Sequence, residues 1–134
     1  LLERAIGFDN SVVEINGWSD SIEREYQNNR VLLITSRYEG MPLVVLEAMS
    51  YGVCVVAKYF EGIEDIIDGE NGLIIREEKI DLFSKKLIQI LEDDKLVESV
   101  QRRAYLFAEK YFNHFERVKK LDRIYESAVS RQGD

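Results

Sequence analysis

Residues 30–57, RVLLITSRYEGMPLVVLEAMSYGVCVVA, decide the fold. Arg30 to Ser36 is a continuous apolar run between polar neighbours, the pattern of a strand covered on both faces. Pro42 suits the first turn of a helix, where no amide donor is required. The helix predicted from it covers Leu43 to Tyr51, and Gly52 ends it. Val53 to Ala57 is a second β-branched, apolar run and reads as another buried strand. Strand, helix and strand in so short a span make a crossover between parallel neighbours.

The same alternation extends outward. Ser11 to Asn16 is a strand candidate ended by Gly17, and Ser19 or Asp20 is placed to cap a helix over residues 21–28. Downstream, Gly62 to Asp68 reads as a short helix, Asp68 to Gly72 as a turn and Leu73 to Ile75 as a short strand. The second half is helical. Leu82, Leu87, Ile90 and Leu91 mark one apolar face; Leu96, Val100, Ala104, Phe107 and Ala108 mark another. A third helix carries Phe115, Val118, Leu121, Ile124, Tyr125 and Ala128. The expected fold is α/β: a partial Rossmann-like parallel sheet flanked by helices, with a helical C-terminal tail. One domain over residues 1–134 accommodates it.

Composition narrows the function. The chain has 134 residues, with 18 Lys and Arg against 25 Asp and Glu, a net charge of −7. An acidic balance argues against nucleic acid as a partner, because phosphate neutralisation needs clustered cations. A small phosphate compound needs only local donors and stays open. A single cysteine, Cys54, excludes an internal disulfide framework or a Cys-based zinc site. Apolar runs fall far short of the ~20 residues of a membrane helix. The N-terminus has no signal-peptide layout; it starts as though inside a helix, so a longer parent protein is expected.

The candidate chemistry lies between residues 36 and 47. Ligands of open parallel sheets bind beyond the carboxyl ends of the strands. A helix start offers amide donors and a positive dipole end to a phosphate or sugar oxygen. Gly40 lets a ligand approach the backbone. Glu39 in the loop and Glu47 one to two turns into the helix are acceptors for the paired hydroxyls of a ribose or hexose. The plainer alternative is that Glu39 caps the helix and Glu47 is a solvated surface charge.

Glu39 and Glu47 stand in an E-x7-E arrangement within SRYEGMPLVVLEAMSYGVCVVA. This resembles the donor-binding half of the retaining glycosyltransferases of family 4, which have the GT-B fold. Residues 62–75, GIEDIIDGENGLII, are similar to that family's G-x-x-E-x-x-x-x-G-x-N-G segment. Val12 to Gly17 and the helical tail, with Tyr111-Phe112, continue the likeness. The resemblance implies hexosyl transfer from a nucleoside diphosphate sugar to a sugar or lipid-linked acceptor. It implies a catalytic role for Glu39 beside the donor sugar. Gly40, Met41, Pro42 and Leu43 shape the loop and face sugar and diphosphate, and Glu47 holds the ribose. Gly17, Trp18 and Ser19 line the base, although Trp18 reads more readily as a partly buried packing residue. Glu64 matches a family position and reads as structural.

The resemblance also implies no metal and no cofactor. It places the protein in the cytoplasm or at the inner face of the membrane. Cys54 departs from the pattern, replacing a frequent Pro. The family's basic diphosphate clamp and its N-terminal acceptor domain have no counterpart in these residues, so the isolated chain is expected to be inactive. Its apolar last helix is expected to favour self-association. Two other readings share the architecture: a non-catalytic binding module and a nucleotide-sugar epimerase. His114 reads as a cap or surface residue.

Overall fold

The computed structural model describes residues 17–40, 42–112, 118–119 and 121–125. Its elements are α1 (Ile22–Asn28), β1 (Val31–Ile34), α2 (Leu43–Ser50), β2 (Cys54–Lys58), a 3₁₀ turn (Ile63–Asp65), β3 (Leu73–Ile75), α3 (Ile80–Glu92) and α4 (Asp94–Tyr111). Residues 118–119 and 121–125 are also helical. The strands form a parallel sheet in the order β1-β2-β3. Val31 lies opposite Cys54, Ile34 opposite Ala57, and Val56 opposite Leu73.

Strand β2 is the middle of this sheet, and Cys54 to Ala57 are wholly buried. Alternate side chains serve opposite faces. Val55 and Ala57 join Val45, Leu46 and Met49 of α2, with Tyr26, Ala104 and Ala108. Cys54 and Val56 join Ile75, Phe83, Ile90, Val97 and Val100. Helix α4 therefore contributes to both clusters, its first half to one and its second half to the other. Burial pushes the Cys54 thiol up to about 11, so the residue packs as an unreactive apolar group.

Several expectations are corrected in detail. Strand β1 is only partly covered: Ile34 is buried, whereas Leu33 is 39% exposed. Among the described strands β1 is an edge, which leaves part of it without a neighbour. The buried face of α3 is Phe83, Leu87 and Ile90, at helical spacing, while Leu82 and Leu91 are exposed. Neither Ser19 nor Asp20 occupies the cap position of α1; Ser21 does, and its amide bonds Ser19 Oγ at 3.3 Å. The strand expected at residues 11–16 lies outside the described residues, as do Phe115, His114 and Ala128.

Between residues 62 and 68 only a 3₁₀ turn forms. Gly62 sits at φ +91°, a left-handed value that suits glycine. The carbonyl of Ile66 is then taken by the side chain of Asn71, whose Nδ2 donates to it at 2.8 Å. Asn71 Oδ1 accepts from the Asp68 amide at 3.1 Å. This buried amide thus replaces the helical bonds that a longer helix would need. Asp68 closes the turn by accepting from the amides of Glu70 and Asn71, and those bonds hold its carboxyl below the usual range. Glu64 pairs with Arg76 at 2.8 Å, tying this turn to the end of β3.

Candidate functional site

The loop after β1 and the start of α2 form one unit. Pro42 sits at the cap position of α2, and its carbonyl accepts from the Val45 amide at 2.9 Å. No side chain caps this helix start. Glu39 is exposed in the loop and has no hydrogen-bond or ion-pair partner among the described residues. The capping alternative for Glu39 is therefore not what the structure shows. Gly40 is also exposed, and a Cβ built there meets nothing within 4 Å. Leu43, the first residue of α2, is 56% exposed. Met41 lies outside the described residues.

Helix α2 is fixed from below. Val45, Leu46, Ala48 and Met49 are buried against β2 and α4. Gly52, at φ +70°, closes the helix by donating to the Met49 carbonyl at 2.9 Å. Glu47 projects from the opposite side, exposed but not free. The hydroxyl of Tyr26 in α1 donates to its Oε2 at 3.3 Å. Tyr26 is only 5% exposed, and its ring lies 5.5 Å from that of Tyr51. Burial, then the Glu47 carboxylate and the hydrogen bond to it, push the Tyr26 phenol up to about 12. The phenol thus stays a proton donor at neutral pH.

Tyr26 escapes a reading of the sequence because α1, IEREYQN, is short and polar. The one signal is that its aromatic ring is out of character with those neighbours. Gly17, Trp18 and Ser19 line an open cleft of about 510 Å³ beside the start of α1. Trp18 is 95% exposed, so it is not a packing residue. This cleft contains neither Glu39 nor Glu47 among its walls. A second cleft, of about 400 Å³, opens at the carboxyl ends of all three strands. Arg37, Lys58 and Arg76 line it with Tyr38 and Tyr59. Arg76 lies 4.3 Å over the Tyr59 ring. The pattern of the sequence did not single out these cations, because they are far apart along the chain and meet only at the strand ends.

Among the described residues, no group of three or more His, Cys, Asp or Glu side chains is arranged to hold a metal ion. No described helix is long and apolar enough to cross a membrane.

A model of the family described as "Glycosyl transferases group 1" matches residues 1–93. The chain belongs to that family. It is 31% identical over 125 residues to the poly(glycerol-phosphate) alpha-glucosyltransferase of Bacillus subtilis, covering 90% of this chain and 19% of the relative. The crystal structure of TarM superposes with a TM-score of 0.77 at 21% identity, over 92% of this chain and 25% of TarM. Anabaena HepE, solved in complex with UDP and glucose, superposes with a TM-score of 0.70 at 20% identity, over 83% of this chain and 31% of HepE. The parallel sheet flanked by helices is thus that of the C-terminal domain of GT-B glycosyltransferases. The chain spans between 19% and 31% of the lengths of these and other curated relatives. In this group 1 glycosyltransferase chain, Glu39 and Glu47 occupy the loop and helix that follow the first described strand.

Proposed function

We propose that this chain is the donor-binding part of a retaining glycosyltransferase, which moves a hexosyl unit from a nucleoside diphosphate sugar to a sugar or lipid-linked acceptor. One observation carries the reading: a single strand–loop–helix unit presents two exposed carboxylates, Glu39 without a partner among the described residues and Glu47 held by Tyr26. Two acceptors on one loop and the helix that follows it suit a ligand with hydroxyls at two places, a hexose and a ribose. The uncapped start of α2 supplies amide donors to the diphosphate between them. HepE, which shares the fold, was solved with UDP and glucose.

In this reading Glu39 stabilises positive charge at the reacting carbon, while Leu43 and Gly40 offer amides to the diphosphate. Glu47 accepts from the ribose hydroxyls. Gly17, Trp18 and Ser19 form the side of the site that faces the base. Acceptor binding and the basic clamp on the leaving diphosphate belong to the rest of the enzyme, in keeping with the small share of its relatives that this chain spans.

The test is a calorimetric titration of the complete enzyme with UDP, GDP and ADP. Loss of two hydrogen bonds to a charged group, each ~1.5–3 kcal/mol, is expected in Glu47→Ala. The Kd of the preferred nucleotide should rise at least about a hundredfold. An unchanged Kd refutes the ribose role.

A further inference from the structure

We infer that Tyr26 is a positioning residue for nucleotide recognition, its hydroxyl aiming the Glu47 carboxylate at the ribose. The inference rests on the ribose role of Glu47 and adds a residue from a different helix to that site. Glu47 lies in the second turn of α2, with an exposed side chain that has several rotamers open to it. Only one side-chain contact restrains it among the described residues, the Tyr26 hydroxyl at 3.3 Å on Oε2. Oε1 is left to accept from a ligand, and Oε2 retains lone-pair capacity beyond the Tyr26 bond.

Tyr26 is itself well fixed. It is 5% exposed, belongs to the core cluster around Val45 and Met49, and packs on Tyr51 just beyond α2. Its phenol therefore reaches Glu47 from a rigid base. A buried donor on an exposed carboxylate reduces the orientational freedom that ligand binding must otherwise remove. The bond has a second consequence: it joins α1 to α2. Residues 17–19 lie three to five positions before α1 begins at Ile22, so the same contact helps set where the base-side cleft stands relative to the ribose carboxylate.

The experiment is a double-mutant cycle on the complete enzyme with Tyr26→Phe, Glu47→Ala and the pair. It is read with UDP and with 2′,3′-dideoxy-UDP, and with the GDP and ADP pairs if those nucleotides bind more tightly. Phe keeps the packed ring and removes only the hydroxyl. Tyr26→Phe should weaken the ribonucleotide about three- to tenfold, as expected for one hydrogen bond. The dideoxy nucleotide should be nearly unaffected, so the preference for ribose narrows. In the Glu47→Ala background, Tyr26→Phe should have no further effect. If Glu47→Ala weakens binding and Tyr26→Phe does not, the positioning role is overturned and the ribose role stands. Equal weakening of ribo and dideoxy nucleotides by Tyr26→Phe means a general loosening of the fold, and also overturns it. If Glu47→Ala leaves the affinity unchanged, the ribose role falls and the inference with it.

Discussion

Glu39→Gln in the complete enzyme should lower kcat by a hundredfold or more and leave the Kd for the free nucleoside diphosphate within about twofold. Electrostatic groups aimed at charge that develops in the transition state are worth ~10²–10³ in rate each. A retaining transfer develops positive charge at the sugar carbon as the diphosphate departs, and in the proposed reading Glu39 stands beside that sugar. Its carboxylate has no partner among the described residues. The charge is therefore available to the substrate and is not committed to the fold. Gln keeps the size and one acceptor oxygen, so ground-state binding changes little and the loss falls on the transition state. A split of this kind separates Glu39 from Glu47, whose loss falls on nucleotide affinity. Full turnover in Glu39→Gln withdraws the catalytic assignment.

The second large effect concerns the base on which both carboxylates stand. Leu46→Ala should destabilise the protein by ~3–4 kcal/mol, measured by urea unfolding. Leu46 is 1% exposed and packs among Val45, Met49, Val55 and Ala104. Buried Leu→Ala changes cost ~2–5 kcal/mol because a cavity remains where the side chain was. Leu46 adjoins Glu47 on α2, so the same change should loosen the helix that carries it and weaken nucleotide binding. Leu46→Met, close in volume, should cost below ~1.5 kcal/mol. Equal stability of the Ala variant and the native protein would show that α2 is not seated as described.

The strand–helix–strand unit was legible because its signals are local. RVLLITS and VCVVA are unbroken apolar runs, and Pro42 and Gly52 mark the two ends of α2. The acidic pair was legible for the same reason, both members lying within nine consecutive residues on the loop and helix that follow β1. What escaped depends on contacts between distant residues. Tyr26 meets Glu47 across 21 positions, and no pattern within α1 announces that bond. Arg37, Lys58 and Arg76 converge only once three strands are laid side by side. The helix read over residues 62–68 was truncated by Asn71, five positions beyond the carbonyl it captures. On α3, Phe83 and not Leu82 faces the sheet, a choice between adjacent apolar residues that periodicity alone does not make.

A crystal structure of the complete enzyme with an intact nucleoside diphosphate hexose bound would examine both carboxylates at once. The ribose hydroxyls should lie within ~3 Å of the Glu47 carboxylate. Tyr26 should still donate to it, the hexose should sit beside Glu39, and the diphosphate should lie over the start of α2. A donor bound away from the β1–α2 loop, with Glu39 and Glu47 both in solvent, would contradict the assignment of this unit as the donor site.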